Sequence, residues 1–293
     1  GRHLCQSLTD DGHSVAAVSR SPNKPAGLAV AEFHQWDPQS GPLSPVVLHG
    51  VDAVVNLAGE PLDARRWSDQ QKKLIRDSRV VTTRNLVEGM RSVDRKPGVL
   101  ISGSAVGFYG DRGDEQLEET SHPGHGFMSD VCQEWEGEAG RATESGIRVV
   151  QVRTGVVLSA KGGAFQKMLA PFKLGLGGPL GSGKQWFPWI HEDDIVGIFR
   201  HSIATSSLAG PVNGVGPQPI TNREFTRELA RTLHRPAFLP VPEMALKVLM
   251  GEMAEVAFGS QRVVPKVALA SGYEFQYSRL ALALANVLGG SNT

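Results

Sequence analysis

The chain has 293 residues, with 30 basic residues balancing 30 acidic ones, and 40% of it is hydrophobic. That length allows one large α/β domain or two smaller ones, and the charge balance gives no support to a general nucleic-acid or anionic-membrane partner. Two cysteines make no disulfide framework and none of the nine histidines pairs at ligand spacing, so a reduced, cytoplasmic setting without a metal is expected.

The opening, GRHLCQSLTDDGHSVAAVSRS, reads as a helix followed by a strand. Apolar spacing at Leu4 and Leu8 suits a helix that Gly12 stops. Ser14 to Ser19 is a short apolar run of the kind found in parallel strands. Ala31 to Trp36 predicts a weaker strand and Val51 to Leu57 a strong one. A long polar helix follows from about Ser68 to Val93, with Ser68 as its N-cap. Val99 to Ser102 is the next strand, and a glycine-rich acidic loop covers about Ala105 to Gly126. Then come a helix near Phe127 to Ser145 and a strand at Ile147 to Arg153.

Strand and helix thus alternate at the lengths of right-handed βαβ units, which argues for a doubly wound parallel sheet. Beyond Gly155 the rhythm breaks. Residues 173–191 are rich in loop formers, a helix follows from Asp193 to about Ala204, and a strand lies at Val212 to Gly214. Thr221 or Asn222 caps a further helix with Glu224 close behind, and the remainder reads mostly helical. The expected fold is a Rossmann-type α/β domain over about 1–160, to which 187–216 return. Residues 161–186 and 217–293 would form a smaller, mostly helical substrate domain.

A dinucleotide-binding fold begins with a strand, a glycine-rich turn and a helix, and the last glycine of the turn lies in the first helical turn. Gly1, ahead of a helix and then a strand, suits that place. The next strand ends at Ser19-Arg20, roughly 20 residues on, where such folds read the adenosine ribose.

The segments VDAVVNLAGEPL, SRVVTTRNLV, LISGSAVGFYGDRG, VRTGVVLS, KLGLGGPLGSGKQWFPWIHEDD and NREFTRELARTLHRP together resemble one group over essentially the whole chain. It is the extended short-chain dehydrogenase/reductase group described as nucleoside-diphosphate-sugar epimerase-like, or epimerase family protein SDR39U1-like. Members open with a strand and a G-G-x-G-x-x-G turn ending at the glycine that Gly1 matches. The resemblance therefore implies an N-terminally truncated chain, one that lacks most of a pyrophosphate cradle and binds cofactor poorly. It does not start on a methionine-led basic and apolar segment, so no signal peptide is expected and the true start is expected upstream.

Folds that prefer NAD end their second strand on a carboxylate. Here Ser19-Arg20 stand there, with Asn23 and Lys24 beyond, and a guanidinium suits a 2′-phosphate, so NADP(H) is the expected cofactor. The alternative is an exposed turn arginine. The resemblance lays Leu57, Ala58 and Glu60 along the cofactor, turns Arg79 toward it, and sets Val156 against its nicotinamide half. Surface and turn positions are the bland readings of these residues.

Short-chain reductases use Tyr-x-x-x-Lys on a helix, assisted by a serine or threonine. Ser104 matches the assisting hydroxyl, with Ser102 as a second choice, and either could be a turn hydrogen bond instead. Aligning Glu136 with the usual downstream glutamate puts Cys132 at the lysine position and Met128 at the tyrosine position, and neither can do the work. Tyr109 could replace the acid in space, or pack beneath its loop. His191 could be an acid/base or, with Glu192 to Asp194, a helix N-cap. Trp186, Phe187 and Trp189 could wall a substrate pocket or bury the domain junction, and Lys184 could meet an anionic group. The expected activity is an NADP(H)-dependent oxidoreductase or epimerase-like reaction on a small carbonyl or alcohol substrate, by a monomer or homodimer. The alternative is a non-catalytic NADP(H) sensor or partner-binding protein.

Overall fold

The computed structural model describes residues 1–289. Helix α1 (Arg2–Asp10) ends where Gly12 takes a positive φ of 85°, a conformation that suits glycine, and leads into strand β1 (Ala16–Ser19). Strand β2 (Glu32–Gln35), the single-turn helix α2 (Pro45–Leu48) and strand β3 (Ala53–Asn56) follow. Helix α3 (Asp69–Arg91) is long because its signals agree. The Ser68 side chain accepts from the Gln71 amide, Asp69 sits in the first turn and Arg91 in the last, and Ile75, Thr82, Leu86 and Met90 bury one stripe.

Strand β4 (Val99–Ala105) continues through Ser104, past its expected end, because β6 (Arg148–Thr154) pairs with it along its whole length. Between them lie the short strand β5 (Gln116–Leu117) and helix α4 (Phe127–Gly140). After β6 come β7 (Val156–Leu158), α5 (Gly163–Lys173), β8 (Trp189–His191), α6 (Glu192–Ala204) and β9 (Gly210–Gly214). The chain continues as α7 (Asn222–Leu233), α8 (Glu243–Met250), α9 (Ala254–Phe258), β10 (Arg262–Val263), α10 (Lys266–Ala270) and α11 (Leu280–Gly289).

The main sheet has the order β3-β4-β6-β9, and every pair in it is parallel. A parallel sheet needs helices on both faces, and successive residues of β4 divide between them. Val99 and Ile101 join Leu4 of α1 and Ile195, Ile198 and Phe199 of α6 in one core. Leu100 joins Leu86, Val87 and Met90 of α3 and Ala139 of α4 in the other. Strands β1 and β2 form a separate parallel pair, and no ladder among the described residues connects it to β3.

A third core gathers Phe165 and Leu169 of α5, Phe225 and Leu229 of α7, Leu280 and Leu284 of α11, and Trp189. The C-terminal part does not all pack there, since Ala268 of α10 lies in the α1–α6 core. Two small parallel pairs, β5 with β10 and β7 with β8, tie the later chain to the loops above the main sheet.

Candidate functional site

In an open parallel α/β sheet, ligands lie in the crevice beyond the carboxyl ends of the strands. At that edge Asn56 pairs with Ser102, Ala105 with Thr154, and Thr154 with Gly214. The segments leaving the edge are therefore Leu57–Glu60, Val106–Tyr109, Gly155–Val156 and Val215–Gly216, while Ser19-Arg20 close β1 of the separate pair.

The loop after β3 is shaped from beneath. Asn56 is buried; its amide donates to Thr83 Oγ1 at 2.8 Å and its Oδ1 accepts from the Ala58 amide at 3.2 Å. This turn leaves Leu57 41% exposed at the crevice. Ser78 Oγ accepts from the Glu60 amide at 2.8 Å, and Arg79 donates to the carbonyls of Glu60 and Ile75, both at 3.0 Å. Arg79 also lies 5.4 Å from the Trp135 ring centroid. A Cβ on Gly59 would stand 3.0 Å from the Arg79 guanidinium carbon, so a side chain there would press on that guanidinium. Burial lowers the Arg79 pKa. Arg79 thus supports the cofactor-side loop, and its hydrogen bonds run to backbone.

Arg20 is exposed, and its guanidinium makes no hydrogen bond or ion pair among the described residues. The backbone around it is ordered by Gln35, which donates to the Arg20 carbonyl at 3.2 Å, and by Ser19 Oγ, which accepts from the Ser21 amide at 3.1 Å. Gly1 is the N-cap of α1, and the half-buried Val156 donates its amide to the Pro188 carbonyl at 2.7 Å. Of the expected cofactor residues, Leu57, Ala58, Glu60 and Val156 follow strands of the main sheet at this edge, whereas Ser19-Arg20 end a strand of the separate β1–β2 pair.

The expected catalytic residues do not join them. Ser104 is 4% exposed, and its hydroxyl donates to Glu136 Oε1 at 2.6 Å. Glu136 in turn accepts from Arg153 Nε and Nη2, both at 2.8 Å. Arg153 lies 3.5 Å from the Phe108 ring centroid and donates from Nη1 to Tyr109 Oη (3.0 Å) and the Glu119 carbonyl (3.1 Å). Tyr109 is fully buried, and its one hydrogen lies between Asn213 Oδ1 at 2.8 Å and the Glu118 carbonyl at 3.0 Å. Burial raises its pKa. The Tyr109 expectation is corrected: this hydroxyl packs under its loop. The fallback Ser102 is also fully buried, with its hydroxyl against the Gly103 carbonyl at 3.1 Å.

His191 needs the same correction. Its Nδ1 accepts from the Asp193 amide at 3.1 Å, its Nε2 faces Asn286 Oδ1 at 3.1 Å, and its ring stacks on Tyr277 at 3.7 Å. These partners place the proton on Nε2, and burial lowers the pKa, so this is a neutral N-cap of α6. Of the α4 positions that stand for tyrosine and lysine, Met128 is half-buried and Cys132 is closed off. Met128 Cβ would lie 3.2 Å from a Cβ on Gly107, and the Cys132 thiol is fully buried with its pKa pushed up to about 12 by that burial.

The aromatic run serves the junction between the cores. Trp189 is 1% exposed and donates to the Gln218 carbonyl at 3.2 Å, so it is core and not a pocket wall. Phe187 packs on Phe225 at 4.3 Å. Trp186 donates to Asp114 at 2.9 Å and carries the Arg262 guanidinium 4.8 Å from its ring centroid. Lys184 is exposed in the neighbouring turn. The Glu136–Arg153–Asn213 assembly was not anticipated as such; its signal was an arginine inside an apolar strand run, VVQVRTGVV.

The model of the NAD dependent epimerase/dehydratase family matches residues 1–213. The chain belongs to that family. In this epimerase/dehydratase member, residues 241–287 match a second model, a domain of unknown function called DUF1731. Epimerase family protein SDR39U1 homolog, chloroplastic, from Arabidopsis thaliana is 39% identical over 98% of this chain and 83% of its own length. Epimerase family protein SDR39U1 from Homo sapiens is 37% identical over 98% of this chain and 96% of its own. A crystal structure of the human protein, isoform 2, with NADPH superposes with a TM-score of 0.87 at 35% identity, covering 99% of this chain and 95% of that one. The chloroplastic designation means that the cytoplasmic expectation is not general to the epimerase/dehydratase relatives. No helix among the described residues of this family member is long and apolar enough to cross a membrane.

Proposed function

We propose that this protein binds NADP(H) along the carboxyl edge of its parallel sheet and acts on a small carbonyl or alcohol substrate as an oxidoreductase or epimerase-like enzyme. One observation carries the cofactor choice: β1 ends on Ser19-Arg20, with no carboxylate at that position and a guanidinium that makes no hydrogen bond or ion pair among the described residues. A bidentate donor suits a 2′-phosphate and offers a 2′-hydroxyl much less. The relative solved with NADPH supports the same reading.

Bound there, the nicotinamide supplies hydride donation or acceptance. Leu57, Ala58 and Glu60 line the adenosine side, Gly1 opens the helix that faces the phosphates, and Val156 flanks the nicotinamide side. Arg79 positions the Gly59–Glu60 backbone. Ser104 anchors β4 to Glu136 and leaves proton exchange to water or to the substrate. Lys184 and Trp186 form the outer rim of the substrate side. The cysteines Cys5 and Cys132 are free thiols, which suits a reducing compartment.

A second reading is a non-catalytic NADP(H) sensor. It is favoured by the burial of Ser104, Tyr109 and His191, which leaves no expected acid/base group at the crevice. Titrating the chain with NADPH and NADH, followed by nicotinamide fluorescence, tests the cofactor reading. Arg20→Ala is expected to weaken NADPH by roughly tenfold to a hundredfold and to spare NADH. An equal effect on both nucleotides, or none, overturns it. Turnover of NADPH with any member of a carbonyl panel then decides for the enzyme, and saturable binding without oxidation decides for the sensor. A parallel titration with a strand and glycine turn placed ahead of Gly1 tests the expected weak binding of the 293-residue chain.

A further inference from the structure

The loop between β3 and α3 reaches both packing units. Its first residues, Leu57 to Glu60, edge the crevice. A few residues on, Asp63 pairs with Lys167 of α5, Oδ2 to Nζ at 2.8 Å, and its carbonyl accepts from the same amine at 3.3 Å. Arg66 Nη2 donates to the Val248 carbonyl of α8 at 3.0 Å. A Cβ on Gly251 would stand 2.9 Å from Arg66 Nε, at a φ of +63° that favours glycine for a second reason. In the first turn of α3, Lys72 pairs with Glu252. Trp67 is the inner post of the loop: it is 8% exposed, packs edge-on to Phe127 at 5.1 Å, and donates to the Leu62 carbonyl at 2.9 Å.

One short loop therefore touches the cofactor crevice at its start and holds α5 and the 248–252 segment at its end. The buried Trp67 keeps its base rigid, while the clasp contacts are exposed or half-exposed side chains whose individual strength is small. Such contacts open and close easily, and a ligand that orders the near end of the loop changes their balance.

We infer that this loop couples cofactor occupancy to closure of the helical part: NADP(H) along Leu57–Glu60 favours the Asp63–Lys167 and Arg66–Val248 clasp, and the clasp in turn tightens NADP(H). The inference rests on the cofactor reading above, and it gives the sensor reading a moving part. Coupling is reciprocal, so opening the clasp weakens the nucleotide although neither Arg66 nor Lys167 lines its edge.

The test uses the full chain, saturating NADPH, and the Arg66→Ala/Lys167→Ala variant. Hydrogen exchange of the wild type is expected to slow on NADPH addition in 57–60 and also in 243–253. The variant keeps the first response, loses the second, and binds NADPH roughly twofold to tenfold more weakly. An unchanged urea midpoint shows that the variant's fold is intact. Protection of 57–60 without any response at 243–253 in the wild type overturns the coupling and leaves the cofactor reading standing. Failure of NADPH to bind even with a strand and glycine turn placed ahead of Gly1 overturns both.

Discussion

Replacing Arg153 by methionine keeps the volume of the side chain and removes its charge. The Arg153 side chain is 5% exposed and its partner Glu136 10% exposed, so this is a buried pair. The substitution strips Glu136 of both arginine hydrogen bonds and leaves the Tyr109 oxygen and the Glu119 carbonyl without theirs. Removing one partner of a buried pair costs about 3–5 kcal/mol, because the other charge stays behind in the interior. Against a total stability of about 5–15 kcal/mol, that is a large share. The double variant Arg153→Met/Glu136→Leu removes both charges of this pair, and with Ser104→Ala it leaves no stranded hydroxyl donor. It is therefore expected to be more stable than Arg153→Met alone by about 2 kcal/mol. Urea unfolding followed by far-ultraviolet circular dichroism and tryptophan fluorescence reads both quantities. A loss below about 1 kcal/mol for Arg153→Met, or single-variant losses that simply add in the double variant, would refute the network.

Three further outcomes are expected. The Cys132 pKa of about 12 lies above its ordinary value of 9.0, so the fold holds the neutral thiol and the unfolded chain ionises first. Stability from this group is full below the unfolded pKa and falls as pH rises, by about 1.4 kcal/mol between about pH 8 and 10, and Cys132→Ala should flatten that slope in urea midpoints; parallel slopes would contradict it. The Thr221–Glu224 capping box starts α7, and Thr221→Ala should cost about 1 kcal/mol in the same assay, with no loss arguing that packing alone holds the helix. Glu119 is 5% exposed with one carboxylate oxygen lacking a partner, and burial raises its pKa. Its ionised form is thus disfavoured in the fold, so Glu119→Gln should gain on the wild type as pH rises through the carboxylate range and lose that advantage in acid; an advantage independent of pH would show that the carboxylate is not strained.

The alternation of strands and helices was legible because each signal was local. Ser68 capped α3 as its sequence indicated, Gly12 closed α1, and the Thr221–Glu224 box opened α7. The strands of the main sheet stood out as short apolar runs because both of their faces are buried. The edge proposed for the cofactor was legible for a related reason: in a parallel sheet, whatever follows a strand comes to the same edge, so the segments after β3 and β6 could be placed there from order, while the individual residues Leu57, Ala58, Glu60 and Val156 came from the family resemblance.

Other features depended on partners far away in the chain. Helix α5 was not anticipated, since Gly162, Gly163 and Pro171 are poor helix signals; its buried Phe165 and Leu169 are held by α7 and α11. The pairs β5–β10 and β7–β8 are too short to mark themselves. Side-chain direction was the largest gap. Ser104, Tyr109 and His191 are residue types that catalyse at a crevice, and in this sequence they stand next to one. Glu136, Asn213 and Asn286 lie 32, 104 and 95 residues from them, and those partners turned all three inward. The sequence by itself determined the order of elements, the parallel sheet and the edge where a dinucleotide would lie, because those follow from local periodicity and from strand polarity. Only the tertiary structure decided which polar groups face that edge, because a hydroxyl or imidazole points toward whichever distant partner satisfies its hydrogen bonds once it is buried.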